Sequence, residues 1–426
     1  MISLYRFATF IAAWPLRVLL CARALRGKED YSRLGERRGL TSKIRPTGQL
    51  IWCHAASVGE ALALLPLIER LLENPKLSIL ITTGTNTSAR VLAERLPDRA
   101  THQFAPWDRR AWVGSFLSLW QPNVAIRMES ELWPNTLFAL RDQEIPTVIV
   151  NARLSESTVR GWRRFPVTAQ RIMASLTLVL AQTEEHAARY KAIGARSVRV
   201  TGNIKLAAPA LPVSLPDADY LRAMIDKRPV WLAASTHPGE EGIAFATHKE
   251  IANQTPDLLT IIAPRHPSRG KKIAGLGKAS GLETATRSLG QPINSSTDIY
   301  IVDTIGELGT MFSVCPIVFV GKSLASTGGQ NPVEPSHFNC AILFGPDMEN
   351  FQNIADKMTA HKMALQVCGP KGLTRTVATL LEDKTARETL ASAANGIFSD
   401  GEESLTLTTG AIIDLITNPS RLTPPP

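Results

Sequence analysis

From Leu50 onward, short apolar runs alternate with segments of helical period. Leu50–Cys53 (LIWC), Leu77–Thr82 (LSILIT), Val124–Met128 (VAIRM), Thr147–Val150 (TVIV) and Leu178–Ala181 (LVLA) predict strands. Helices such as Glu60–Leu72 and Ser88–Leu96 are predicted between them. The proline-rich stretch Ala207–Pro216 (AAPALPVSLP) then interrupts the rhythm and reads as a linker. The rhythm restarts with Val230–Ala234, Leu258–Ala263, Ile299–Val302, Ile317–Val320 and Ala341–Phe344. A last helix, about Thr406–Ile416, precedes a polar, proline-ended tail. No repeat of solenoid period is present. Strand–helix alternation of this kind predicts an α/β protein with two Rossmann-like, doubly wound domains facing a cleft, and ligands beyond the carboxyl ends of the strands. The expected boundaries are 1–45 for an N-terminal arm, 46–206 for the first domain, 207–220 for the linker, 221–400 for the second domain and 401–426 for the C-terminal helix and tail.

Ahead of this body, Phe7–Leu16 (FATFIAAWPL) lies between Arg6 and Arg17, and Val18–Ala22 adds VLLCA. Neither run is long enough to span a bilayer alone. No small-residue cleavage site clearly follows, as a secretory signal would require. The segment reads as an amphipathic or shallow membrane anchor followed by a polybasic stretch. The other reading is a first helix packed on the body.

Charge supports the first reading. The 426 residues hold 47 Lys+Arg and 38 Asp+Glu, a net charge of +9, and the first fifty residues hold ten of the basic side chains against three acidic ones. Seven of the nine net charges therefore belong to the arm, and the body is nearly neutral. A nucleic-acid-binding surface would spread its cations over a working face, so no nucleic-acid partner is expected. The five cysteines are scattered without a CxxC and the eight histidines lack metal-ligand spacing, which fits a reduced compartment and no resident metal.

The chemistry-bearing residues fall at the strand ends. His54-Ala-Ala-Ser57-Val-Gly59-Glu60 follows the first strand. Two readings of Glu60 stand: partner of Ser57 in a capping box, or a base facing the cleft where Gly59 lets a ligand approach. Glu129-Ser-Glu131-Leu-Trp-Pro134-Asn follows VAIRM. Two carboxylates two apart cannot be cheaply buried unpaired, and on extended backbone they point opposite ways. One is free to face the cleft while the other pairs structurally. The bland reading makes both ion-paired residues at a helix start. Thr82-Thr-Gly84-Thr-Asn86 reads as a sugar or anion loop, or as an ordinary turn. Asn151-Ala-Arg153 brings a cation to the same edge, where it serves a ligand or holds the two glutamates.

In the second half, Ser235-Thr-His-Pro-Gly239-Glu-Glu241, Pro264-Arg265-His266-Pro267, Asp303-Thr304-Ile-Gly306-Glu307-Leu308, Gly321-Lys322-Ser323 and Gly328-Gly-Gln330-Asn331-Pro332-Val333-Glu334 occupy strand ends. Taken singly, capping explains them: Thr304-x-x-Glu307 as a capping box, and Asn331, Pro332 and Glu334 as Ncap, N1 and N3. Together they place helix N-termini and cations around one edge, the shape of a phosphate-containing nucleotide site. Gly321-Lys-Ser lacks the upstream glycine of a P-loop, and Gly275-Leu-Gly277 has the wrong spacing for a dinucleotide fingerprint. Asp217-Ala-Asp219 matches a metal-binding pair but sits beside the linker. The residues thus point to a metal-independent nucleotide-sugar enzyme.

The motifs HAASVGE, ITTGTNTS, MESELWPN, NARLSE, TGNIK, STHPGEE, PRHP, DTIGEL and GGQNPVEP, together with Tyr31–Gly39 (YSRLGERRG), closely resemble in content and order the 3-deoxy-D-manno-octulosonic acid (Kdo) transferases of Gram-negative bacteria. The resemblance runs to about Asn350. It implies a GT-B fold and an N-terminus associated with the cytoplasmic face of the inner membrane. It implies inverting transfer of Kdo from the donor CMP-Kdo to a lipid A precursor, with no cofactor or metal. Carried over by position, Glu60 is the catalytic base. Glu129 and Lys205 stabilise charge in the transition state. Arg265, His266, Gly306, Glu307, Leu308, Asn331, Pro332, Val333 and Glu334 contact CMP. Lys322 stands where many members have glycine, and Gln330 where they have histidine. Competing readings are a UDP-sugar transferase or 2-epimerase of the same architecture, a two-lobed sugar-binding protein, and an inactive membrane-associated scaffold.

Overall fold

The computed structural model describes residues 2–207 and 210–417. These divide into two compact units, one of residues 2–207 with 400–417 and one of residues 210–399. Residues 208–209 of the predicted linker and 418–426 of the predicted tail lie outside the described residues.

The first unit is built on seven parallel strands: β1 (Gln49–Ala55), β2 (Leu77–Thr83), β3 (Ala100–Phe104), β4 (Val124–Met128), β5 (Thr147–Ala152), β6 (Leu178–Ala181) and β7 (Val198–Val200). Their order across the sheet is β3-β2-β1-β4-β5-β6-β7. The second unit repeats the plan with β8 (Val230–Thr236), β9 (Leu259–Pro264), β10 (Thr284–Thr286), β11 (Ile299–Ile301), β12 (Ile317–Val320), β13 (Ala341–Phe344) and β14 (Leu365–Gln366), in the order β10-β11-β9-β8-β12-β13-β14. Every pairing is parallel. All loops at the carboxyl ends of one sheet therefore lie along one edge of that sheet.

Burial explains why the inner strands are continuous apolar runs. In β1, Ile51, Cys53 and Ala55 pack into one cluster with Leu64, Leu67 and Ile68 of the helix Val58–Leu72. Leu50 and Trp52 pack on the other face with Phe116, Leu117 and Trp120. A strand covered on both faces loses the alternation of a half-buried one. Four strands absent from the sequence-based expectation, β3, β7, β10 and β14, are the four sheet edges.

Several helix limits differ from expectation. The helix after β2 is Asn86–Ala93, because Thr85 caps it by accepting from the Ser88 amide at 3.1 Å. The helix Leu215–Ile225 occupies part of the stretch expected to be linker. The last helix runs from Lys384 to Thr417. Its final part belongs to the first unit, where Leu405, Ile412 and Leu415 join the β1 core.

The N-terminus forms two helices, Ile2–Ile11 and Ala13–Leu25, bent by 61° at their junction. No single helix among the described residues is long and apolar enough to cross a membrane, but this pair passes that test jointly by length and composition. One face docks on the unit: the Tyr5 hydroxyl donates to Asp108 at 2.8 Å, and Asn135 donates to Thr9 at 3.2 Å. Leu4, Phe7, Phe10, Trp14, Val18 and Leu25 are exposed. Much of the basic arm is bonded to the fold. Arg33 pairs with Glu36 at 2.8 Å and Arg37 with Glu29 at 2.8 Å, Arg23 holds Glu29 at 3.1 Å, and Lys43 and Arg45 donate to backbone carbonyls. Arg17, Arg26, Lys28 and Arg38 make no ion pair among the described residues.

Candidate active site

In a doubly wound sheet a crevice opens where the strand order reverses. In the first unit this point lies between β1 and β4, the strands that deliver Glu60 and Glu129.

Glu60 lies in the first turn of the helix Val58–Leu72, whose cap is Ser57. One carboxylate oxygen accepts from the Ala56 amide at 2.9 Å, and the other meets the Ser57 hydroxyl at 3.0 Å. The capping reading is thus correct, yet it does not exhaust the group. A carboxylate has about four acceptor positions, and two are used. Burial pushes the Glu60 carboxyl above the ordinary range. Glu129 and Glu131 add to this, against the two hydrogen bonds. A Cβ added at Gly59 would meet nothing within 4 Å.

Glu129 follows β4 with φ +54°, a left-handed conformation that costs a non-glycine residue of order 1–3 kcal/mol and that clusters at functional sites. Its amide still bonds the Val150 carbonyl at 2.9 Å, and its carbonyl accepts from Tyr190 at 2.9 Å. The carboxylate is committed on both oxygens, to Lys205 and to Arg153 at 2.8 Å. Lys205 comes from the short turn Ile204–Ala207 after β7. Asn151, also left-handed at φ +53°, steadies that turn by accepting from the Ile204 amide at 3.1 Å. The structure thus gathers Glu129, Arg153 and Lys205.

Glu131 is the structurally paired member of the two carboxylates. Its Oε2 lies 3.8 Å from His54 Nε2, and Arg127 is beside it. Burial acts to raise the Glu131 carboxyl, but His54 and Arg127 outweigh it and hold it below the usual range. His54 is buried and pushed down to about 4, so it is neutral near pH 7.

In the second unit the reversal lies between β8 and β12. Glu240 is buried and accepts four backbone amides: His237 at 2.9 Å, Lys322 at 2.7 Å, Ser323 at 2.9 Å and Leu324 at 3.1 Å. Glu241 holds Arg269 at 2.5 Å and Thr236 at 2.9 Å. Sequence reading gave neither glutamate this role. The signal was a charged pair directly after a strand and a glycine, at positions too buried for solvated charges.

Arg265 and His266 are exposed after β9, and the His266 ring lies 6.0 Å from that of His237. Gly306, Glu307 and Leu308 follow β11. Here the expected capping box fails. The helix begins at Leu308 with Glu307 at its cap position, so Thr304 is three residues too early to cap it. Glu307 bonds Thr304 and Arg287 instead, the latter at 2.6 Å, and Asp217 holds the same Arg287 at 2.7 Å. Burial acts to raise the Glu307 carboxyl, but Arg287 and Thr304 outweigh it and keep it below the usual range. Asp217 is therefore a partner of this arginine.

The series after β12 also starts later than expected. A 3-10 helix opens at Glu334, and Asn331 makes a local turn by accepting from the Val333 amide at 3.1 Å. Pro332 and Val333 are buried. Burial raises the half-buried Glu334 carboxyl, and Asn331 and Arg265 oppose this.

Among the described residues no three His, Cys, Asp or Glu side chains converge as metal ligands. A cavity lined by Arg375, Thr379, Thr389 and Leu390 includes none of these strand-end residues.

Two doubly wound α/β units, each a parallel seven-stranded sheet, define a protein of GT-B-like fold. The fold agrees with solved structures: the UDP-GlcNAc 2-epimerase from Neisseria meningitidis matches with a TM-score of 0.59 and 16% identity, covering 85% of this chain and all of that one. Sequence gives the finer grouping. Residues 32–208 match the family model described as 3-Deoxy-D-manno-octulosonic-acid transferase (kdotransferase). The 3-deoxy-D-manno-octulosonic acid transferase of Rickettsia bellii is 35% identical over 91% of this chain and 93% of its own length. The one of Haemophilus influenzae is 34% identical over 88% and 89%. The chain belongs to the Kdo transferase family, glycosyltransferases of lipopolysaccharide biosynthesis.

Proposed function

We propose that the protein transfers Kdo from CMP-Kdo to a lipid A precursor, with inversion at the anomeric carbon and without a bound metal, at the cytoplasmic face of the inner membrane. The observation that carries the mechanism is Glu60. It is held at two points, retains acceptor capacity, and has a raised affinity for protons. That suits a general base, which must take a proton from the attacking acceptor hydroxyl. As the bond to CMP breaks, negative charge grows on the phosphate. Arg265 and helix N-termini supply positive charge for it. Glu129 orients Lys205 and Arg153.

Membrane association is supported by the exposed apolar face of the two N-terminal helices and by Arg17 and Arg26, which make no ion pair among the described residues. Incubation with CMP-Kdo and a tetra-acylated lipid A precursor, followed by mass analysis, tests the whole reading. A Kdo-sized mass increase is expected, and its absence overturns the proposal. CMP should compete for the donor site and UDP should not.

A further inference from the structure

The YSRLGERRG segment is a matched motif that the reaction leaves without a role. It carries Arg37, an arginine that is almost fully buried. Arg37 Nε and Nη2 bind one oxygen of the buried Glu29 at 2.9 and 2.8 Å. The rest of the guanidinium goes to three carbonyls: Thr83 at 3.2 Å, Ala105 at 3.3 Å and Gly84 at 2.7 Å. Its charge centre lies 4.5 Å from the Phe104 ring centre. Glu29 uses its other oxygen for Arg23, on the second N-terminal helix, at 3.1 Å.

The contacts lead toward the reacting group. Gly84 opens the loop between β2 and the helix Asn86–Ala93. A Cβ there would come within 3.0 Å of the Ala56 carbonyl, so the two turns are in close backbone contact. The same Ala56 donates its amide to Glu60 at 2.9 Å. The chain Arg23, Glu29, Arg37, Gly84, Ala56, Glu60 is thus continuous at contact distance. Burying an ion pair brings little net stability over apolar packing. An arginine spending three further bonds on the carbonyls of two strand-end segments is better matched to fixing geometry.

We infer that Arg37, held by Glu29, is a positioning residue: it pins the loop at Gly84 against the turn that carries Glu60 and so sets where Glu60 meets the acceptor hydroxyl. The inference rests on Glu60 being the base.

The test compares Arg37→Lys, Glu29→Gln and Glu60→Gln in the full-length protein, with CMP-Kdo and tetra-acylated lipid A precursor. A lysine keeps the pair with Glu29 but cannot reach three carbonyls as well. Expected for Arg37→Lys is a fall in kcat of about tenfold or more, with the KM for CMP-Kdo and the affinity for CMP within twofold of the parent. Glu29→Gln should fall in the same direction by less, which keeps the test open if the lysine variant does not fold. A purely structural role predicts a lowered unfolding midpoint with kcat within twofold at a temperature where both are folded, and that result overturns the inference. Inactive Glu60→Gln beside fully active Arg37→Lys overturns it alone. Active Glu60→Gln overturns the base assignment and the inference with it.

Discussion

Glu60 and Glu240 look alike in the sequence. Each follows a glycine shortly after the first strand of its unit, in Ser57-Val-Gly59-Glu60 and His237-Pro-Gly239-Glu240. Their environments are opposite. Glu240 is buried, and its two oxygens accept four backbone amides, three of them from the loop after β12. Glu60 is half-buried, and its two partners belong to its own turn. The first carboxylate is used up by architecture. The second is secured and left with capacity to accept a proton. A glutamate beside a helix start therefore says little until its acceptor positions are counted.

The widest separation between them should appear on replacing each. Glu60→Gln should cut kcat by roughly 10²–10⁴-fold, the usual range for loss of a general base. Because its carboxyl is raised in the fold, the charged form is mildly unfavourable there. Its stability contribution is greatest below the unfolded pKa and is lost as pH rises through the folded one. Glu60→Gln should then unfold at the parent's temperature or slightly above it near pH 7. In the parent, the acid limb of the kcat/KM–pH profile should lie above the pKa of an ordinary glutamate. A limb at or below that value would remove Glu60 as the base.

Glu240→Ala should do the reverse. It leaves buried amides without their acceptor, and charge-assisted hydrogen bonds contribute about 1.5–3 kcal/mol each. A loss of about 3 kcal/mol or more is expected, or roughly 6–12 °C for a domain of this size. Calorimetry should show the loss, whereas Glu60→Gln should show none.

The sequence disclosed the inner strands and most strand-end motifs because burial on two faces and parallel pairing both leave a local signature. It missed β3, β7, β10 and β14 because these edge strands are short and carry polar residues such as Thr101 and Arg199. It placed Glu60 at a helix start correctly from Ser57. It misplaced Glu307, because Arg287, twenty residues earlier, competes for that carboxylate. Nor could spacing show that the arm's cations Arg33 and Arg37 are spent inside the fold, since their partners include, besides Glu36 and Glu29, carbonyls up to 69 residues away.

Glu307 offers an intermediate case between the two glutamates. Its carboxyl is held below the ordinary range, so its contribution is present above the unfolded pKa and is lost as pH falls through the folded one. Arg287→Ala should cost about 1–2 kcal/mol near pH 7. The difference from the parent should shrink as the pH is lowered below about 4. A constant difference down to that pH would mean that Arg287 acts by packing alone.

The smallest effect concerns Lys322, next to the Glu240 cradle. Gly321 before it is required by space, since a Cβ there would press on the Ser235 carbonyl at 2.7 Å. Lys322 is instead notable for its backbone, at φ +58°. A non-glycine residue there bears about 1 kcal/mol or more of strain, and glycine returns part of that gain through the entropy of the unfolded chain. Lys322 contributes its amide to Glu240, which glycine keeps. Lys322→Gly should therefore raise stability by no more than about 1 kcal/mol, or 2–4 °C. Titration with CMP on the same variant then isolates the ammonium group. An affinity drop would assign that group to the phosphate, while equal affinity would leave the Glu240 cradle as a device made wholly of backbone. Either way the strained residue and the buried glutamate separate cleanly, because one acts through φ and the other through hydrogen bonds.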